Sequence, residues 1–328
     1  MPVQFETFRT FIESNTRFVL TTHVNPDGDG IGTEVALAVY LQKLGKHATI
    51  INYSATPENY LFLAKLHPIL QFEPSKHIEI IENAEVIIIL DTNQLERLVT
   101  MKPVLLMSQA IKICIDHHLE PGEFADLFIL DESSTATGEI VYRLLSYLTG
   151  RSVDRETAIA LYTAIMTDSG SFRYPKTDPE THKIAAHLIQ MGADPVAIYE
   201  HVYERGSINR VRLLGLALAN MQMTHDGKLA YLVLTREMFE VTDTSETDSE
   251  AFVPYTLTID KVQIGLMFSE MDGMVKVSFR SKGDIWINEL AKEFGGNGHK
   301  NAAGAHIPHA QMDEIVSQVL EHAGSYII

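Results

Sequence analysis

The sequence predicts an α/β protein: a parallel sheet with helices on both faces, followed by a smaller α+β domain. Three observations predict it. Apolar runs of strand length (RFVLTT at 17–22, AEVIIILD at 84–91, IKICID at 111–116) alternate with stretches of helical apolar spacing, the pattern of βαβ units. The order changes past residue 225, where two strand-like runs are joined by the short turn MDG at 271–273 and followed by helices. The length, 328 residues, suits two domains with a large core.

In chain order, residues 3–16 have helical spacing and 17–22 read as a buried strand. A turn follows, and 33–45 form a helix that Gly45 ends. Residues 47–53 are a strand, 58–66 a short helix, and 84–91 and 111–116 core strands that each close on aspartate. Helices over 136–150 and 154–170 come next, then a helical run over about 179–220 broken at Asp194-Pro195. The second domain opens with a strand at 225–235. The acidic TDTSETDSE at 242–250 reads as an exposed loop or helix start, and strands at 261–270 and 274–281 as a hairpin. Helices over 285–295 and 309–324 flank the glycine-rich GGNGHKNAAG at 295–304. These divisions place domains over 1–190 and 225–328, joined by a helical connector over 191–224.

Composition narrows the function classes. Hydrophobic content of 45% and charged content of 21% are those of a globular protein, and no apolar run approaches the roughly 20 residues that span a bilayer. The single cysteine, Cys114, reads as a small buried hydrophobe that forms no internal disulfide. A reducing cytoplasm is the expected compartment. A net charge of −17 argues against sequence-independent binding of long nucleic acid, which needs an extended basic surface.

The chemistry concentrates at strand ends. The segment TTHVNPDGDGIG (21–32) crowds His23, Asp27 and Asp29 into a glycine-rich turn; ILDTNQ (89–94) presents Asp91; ICIDHH (113–118) presents Asp116, His117 and His118. Asp168, in MTDSGSF (166–172), ends a helix in similar surroundings. Ligands bind at the carboxyl ends of strands in open parallel sheets, so the three strand-end clusters are expected along one sheet edge. Crowded carboxylates repel unless a positive charge sits among them. Carboxylates and imidazoles without cysteine suit Mn²⁺ or Mg²⁺ better than a structural zinc site, and two cations bridged by one carboxylate would relieve the repulsion.

In this order, H-x-x-x-D-x-D at 23–29, Asp91, D-H-H at 116–118 and Asp168 in TDSG resemble the four motifs of the DHH phosphoesterase superfamily. The tail GGNGHKNAAG resembles the signature of its associated C-terminal domain. The subgroup it is most similar to is the bacterial nanoRNase/pAp phosphatases, over about residues 17–307. That resemblance implies two divalent ions, Mn²⁺ foremost with Mg²⁺ or Co²⁺ as alternatives. It implies that His23 and Asp27 bind one ion, that Asp29, His117 and Asp168 bind the other, and that Asp91 bridges them. His118 would serve the scissile phosphate, and Asp116 would orient the site. In the second domain it implies a substrate grip from Arg280, Ser281, Gly295, Gly296, Gly298 and His299. Asn297 stands where the family usually has glycine, and a left-handed backbone there is one that Asn tolerates.

The function implied is hydrolysis of short 5′-phosphorylated oligoribonucleotides such as pApA, and of pAp. The alternatives are a cyclic or linear dinucleotide phosphodiesterase, a pyrophosphatase or exopolyphosphatase, and a nucleotide sensor without catalysis. Short RNA or small nucleotides are the expected partners, with no membrane and no long nucleic acid; a homodimer stays open. His182, His187 and His201 are expected as solvated histidines of the helical run over 179–220, and Trp286 as a core residue rather than a base-stacking platform.

Overall fold

The structure is a computed structural model that describes residues 2–118 and 122–327. It divides into two compact units, Met1–Arg205 and Gly206–Ile328.

The first unit is built on six parallel strands: β1 (Arg17–Thr21), β2 (His47–Asn52), β3 (Ile69–Gln71), β4 (Val86–Leu90), β5 (Ile111–Asp116) and β6 (Leu127–Leu130). They lie in the order β3-β2-β1-β4-β5-β6. The winding reverses between β1 and β4, so the loops that leave those two strands diverge and open a crevice at their carboxyl ends. Helices α1 (Pro2–Ser14), α2 (Gly28–Lys43), α3 (Pro74–Glu82), α4 (Met101–Met107), α5 (Thr137–Thr149), α6 (Arg155–Asp168), α7 (Pro179–Gln190) and α8 (Pro195–Tyr203) cover the sheet. Alternate side chains separate the two faces. Phe18, Leu20, Ile50, Ile88, Ile113 and Ile115 bury against the layer that holds α1, α2 and α5–α8; Val19, Ile51, Ile87 and Ile89 bury against α3 and α4.

Two close approaches set the layer that matters most. A Cβ built on Gly32 of α2 would lie 2.5 Å from the Ala160 carbonyl of α6, and one on Gly138 of α5 would lie 2.8 Å from Ala164 Cβ. Only glycine lets the three helix backbones meet this closely.

The entry to β1 is fixed by Glu85. Its Oε2 accepts from Thr16 N (2.7 Å), Thr16 Oγ1 (3.0 Å) and Arg17 N (2.9 Å), and the Arg17 guanidinium pairs with Oε1 at 3.1 Å. The two backbone N–H groups lead in holding the carboxyl down at about 2. Because the folded pKa is depressed, the stabilisation is full above the ordinary glutamate range and is lost as pH falls through about 2. Glu85→Gln is expected to cost about 1–2 kcal/mol at pH 7, with the gap to wild type closing below about pH 4.5. Thermal unfolding followed by circular dichroism against pH checks this; a gap independent of pH would refute it.

The second unit is a mixed sheet with helices on both faces. Its elements are α9 (Ile208–Ala219), β7 (Gln222–Thr224), β8 (Leu229–Leu234), α10 (Arg236–Thr242), β9 (Ile264–Met271), β10 (Met274–Ser281), α11 (Ile287–Glu293), β11 (Asn297–His299), β12 (Ala302–Pro308) and α12 (Met312–Ala323). The strand order is β11-β12-β10-β9-β8-β7, antiparallel except where β8 meets β9. Phe268, Val277 and Phe279 pack on α11 and α12; Leu232, Leu234 and Met267 pack on α9 and α10. An α/β domain with helices on both faces of a parallel sheet, followed by a smaller α+β domain, is thus the architecture.

Several expected elements differ. Helix α2 starts five residues before position 33, because Asp27 caps it and carries the glycines into its first turns. Residues 58–66 form two 3₁₀ turns, Glu58–Tyr60 and Leu63–Lys65. The expected connector over 191–224 is shared out: α8 buries Ile198 and Val202 in the first unit, and α9 buries Leu213 and Ala217 in the second. Within 242–250, Glu246–Ser249 form a 3₁₀ turn.

Candidate metal centre

The crevice is furnished by the three strand ends. Beyond β1, Asn52 Oδ1 accepts from Thr22 N at 3.1 Å, and Asn52 Nδ2 donates to the buried Glu34 of α2 at 2.8 Å. This fixes the chain just before His23. His23 is 4% exposed, and its Nδ1 lies 2.8 Å from the Val24 carbonyl. A carbonyl can only accept, so Nδ1 carries the proton and Nε2 is the atom turned to Asp91 Oδ2, 3.4 Å away. Burial opposes charge on His23, but its bond to Asp91 and the charges of Asp27 and Asp91 outweigh it and raise its pKa.

Asp27 and Asp29 occupy the start of α2. Asp27 Oδ1 accepts from Asp29 N (3.0 Å) and Gly30 N (3.2 Å) while the residue stays exposed. Asp29 is buried, and its two oxygens accept from Thr137 N (2.7 Å) and Gly138 N (2.9 Å), the first residues of α5. The helix crossing therefore delivers Asp29 into the crevice already oriented.

Asp91 follows β4 with a left-handed backbone (φ 57°) and is 2% exposed. Its Oδ1 accepts from Thr137 Oγ1 at 3.0 Å and lies 3.7 Å from both His117 Nε2 and His118 Nδ1. Burial favours the neutral acid, yet the bond to His23 and the imidazoles of His118 and His117 hold Asp91 below the usual carboxylate range. Asp116, at the end of β5, accepts from His117 N (2.8 Å) and His118 Nδ1 (2.6 Å) through Oδ1; its buried Oδ2 has no hydrogen-bond partner among the described residues. His117 Nδ1 donates to the Ser134 carbonyl at 3.2 Å, leaving Nε2 3.4 Å from Asp168 Oδ2 and 4.0 Å from Asp29 Oδ2. Burial lowers the His117 pKa. Burial also works against charge on His118, but the bond to Asp116 and the charges of Asp91 and Asp116 push its pKa up to about 9.

The structure thus brings every strand-end candidate together. Three groups have ligand atoms within 4.8 Å of one another: His23, Asp27 and Asp91; Asp29, His117 and Asp168; and Asp91, Asp116, His117 and His118. These imidazole-to-carboxylate separations run from 3.4 Å, the long end of a hydrogen bond, to 4.0 Å. The two 3.4 Å separations, His23 to Asp91 and His117 to Asp168, match the edge of a tetrahedron whose centre is about 2.1 Å from each donor. Burial pushes Asp29 and Asp168 well above the carboxylate range, and repulsion adds to it: from Asp91, Asp168 and Asp27 on Asp29, and from Asp27 and Asp91 on Asp168. That is the penalty a cation would remove, and the O/N donor set fits a hard-to-borderline divalent ion. The bracing groups Asn52, Glu34, Ser134 and Thr137 escaped sequence reading, because each acts through a neighbour and no spacing marks it.

In the second unit, Arg280 sits on β10 opposite Ala302 of β12, and its guanidinium donates to the Phe279 carbonyl at 2.9 Å. Ser281 Oγ donates to the Ile285 carbonyl (2.8 Å) and accepts from Asn301 Nδ2 (2.9 Å), so it braces the segment. Gly295 (φ 73°) and Gly298 (φ 153°) take the left-handed positions, and Gly296 N donates to the Ala291 carbonyl at 2.8 Å. Asn297 lies outside that region, so its replacement of glycine carries no backbone strain; its Oδ1 accepts from Gly298 N at 2.8 Å. His299 lies on β11, its side chain outside the described part. His182, His187 and His201 are ring-packed and lie outside the metal-spaced groups: His201 stacks on Phe62 (4.6 Å), His182 on Phe172 (5.5 Å), and His187 meets Tyr142 OH at 2.9 Å. Among the described residues, no helix is long and apolar enough to cross a membrane.

Comparison with known proteins extends this picture. Residues 17–165 match the DHH family, N-terminal domain, and residues 226–324 the DHHA1 domain. The chain is 31% identical to the bifunctional oligoribonuclease and PAP phosphatase NrnA of Thermus thermophilus over 92% of this chain and 87% of that one. It is 29% identical to NrnA of Bacillus subtilis, covering 88% of each. It also resembles the crystal structure of an exopolyphosphatase-related protein from Bacteroides fragilis, with a TM-score of 0.94 and 33% identity over 99% of this chain and 96% of the other.

Proposed function

This chain belongs to the DHH family, and on that premise we propose that it hydrolyses short 5′-phosphorylated oligoribonucleotides such as pApA to mononucleotides, and pAp to AMP. The observation that carries the reading is Asp91, whose two carboxylate oxygens face different groups of donors, His23 on one side and His117 with His118 on the other. His23 and Asp27 would hold one divalent ion, Asp29, His117 and Asp168 a second, and Asp91 both. Mn²⁺ is the ion proposed. Such a pair supplies a water of lowered pKa and neutralises charge on phosphoryl oxygens.

The remaining work falls to side chains of the chain itself. His118, kept protonated by Asp116, donates to the phosphate under attack. The α5 N-terminus fixes Asp29, and Asn52 fixes the approach to His23, so the donors need little reorganisation. Arg280 supplies the grip on the nucleotide's phosphate through its planar fork, on a strand beside the 295–304 loop. The net charge of −17 favours a short substrate held by local groups over a long strand in a basic channel.

Hydrolysis by the purified protein with Mn²⁺ tests this, comparing pApA, pAp, a cyclic dinucleotide and pyrophosphate, with EDTA as control. AMP released from pApA and lost with EDTA supports the reading. Preference for the cyclic dinucleotide or pyrophosphate overturns the substrate and keeps the site. No turnover of any of them overturns catalysis.

A further inference from the structure

Trp286 is the single tryptophan of the chain, and it is 50% exposed, against the expectation that it packs in the core. An indole left in water forgoes a large apolar burial. Its backbone is nevertheless held on both sides. The Ile285 carbonyl accepts from Ser281 Oγ (2.8 Å) and Asn301 Nδ2 (3.2 Å), and Ile287 N donates to the Lys300 carbonyl at 2.7 Å. Ser281 N donates in turn to the Asn301 carbonyl at 3.1 Å. Trp286 is thereby locked to Lys300 and Asn301 of the glycine-rich segment, while its ring is turned outward. Lys300 Nζ lies over the indole, 5.6 Å from its centroid, and pairs with Asp284 at 2.7 Å.

We propose that the Trp286 indole is a stacking platform for a nucleobase of the bound oligonucleotide. This rests on the reading that the substrate is a short oligoribonucleotide. A flat ring on pinned backbone loses little entropy when a base lies on it, and base–aromatic stacking is worth about 1–3 kcal/mol. Such stacking reads no hydrogen-bond edge, so the platform accepts any of the four bases.

Because there is one tryptophan, fluorescence excited at the red edge of the band, where the twelve tyrosines do not absorb, reports on this ring alone. AMP and pApA are expected to quench it, whereas ribose 5-phosphate, with the same phosphate and no base, leaves it unchanged. Trp286→Ala is expected to raise KM for pApA by roughly 5- to 150-fold with kcat within about twofold, and Trp286→Phe to recover most of the loss. Equal quenching by ribose 5-phosphate, or an unchanged KM in a folded Trp286→Ala protein, overturns the platform. A wild-type protein that is quenched by AMP but does not cleave pApA instead overturns the proposed substrate and leaves the platform standing.

Discussion

Replacing Asp91 by asparagine is expected to lower kcat on pApA by at least about 10³-fold, the equivalent of about 4 kcal/mol of transition-state stabilisation. Asparagine is the informative variant because position 91 is left-handed, with φ 57°. Asparagine tolerates that backbone and keeps the size of the side chain, whereas alanine adds roughly 1–2 kcal/mol of backbone strain to the loss of charge. Asp91→Ala is expected to abolish turnover for both reasons. The stability readout moves the same way in the metal-free protein. The imidazoles of His23, His118 and His117 favour the charged carboxylate at position 91, so the metal-free variant is expected to unfold below the wild-type temperature. The stabilisation that Mn²⁺ gives the wild type should shrink in the variant. Steady-state kinetics with thermal unfolding, with and without Mn²⁺, measures both. Near wild-type kcat in Asp91→Asn would remove the two-ion assignment.

Replacing His118 by alanine is expected to lower kcat by about 10²- to 10⁴-fold with little change in KM, the range of a lost proton donor. The 2.6 Å bond from His118 Nδ1 to Asp116 keeps the ring protonated and aimed. Asp116→Asn should lose most of the same activity while leaving a neutral ring in place. In the double variant the second change should cost almost nothing, because the pair acts as one unit. Losses that simply multiply would show that Asp116 acts through His117 N, its other partner at 2.8 Å, and would withdraw the role given to His118.

The strand ends were legible because a parallel sheet aligns its carboxyl ends, so His23, Asp91 and the 116–118 triplet needed no alignment to be placed on one edge. The winding order β3-β2-β1-β4-β5-β6 was not, since strands as short as Ile69–Gln71 and Leu127–Leu130 carry too few residues for a period to register. The start of α2 misled for a specific reason. Gly28, Gly30 and Gly32 have low helix propensity and read as a turn, but Asp27 caps the helix and tertiary packing selects the small residues. Trp286 misled in the opposite direction. Apolar size alone assigns it to a core, and only the lattice of hydrogen bonds around Ile285 and Ile287 reveals a ring held outward.

The meeting of α2 with α6 has a bearing on ion size. Asp29 rides on the first turn of α2 and Asp168 on the last of α6, and these helices touch backbone to backbone at Gly32 and Ala160. Side chains can rotate to widen a cage; main chains in van der Waals contact cannot. An ion of large radius, such as Ca²⁺ at about 2.3–2.6 Å from its oxygens, is expected to bind more weakly here than one that sits near 2.1 Å, which competition of Ca²⁺ against Mn²⁺ would measure. With Asp29 and Asp168 as ligands, discrimination by ionic radius would originate three residues away from one of them, in the missing side chain of a glycine.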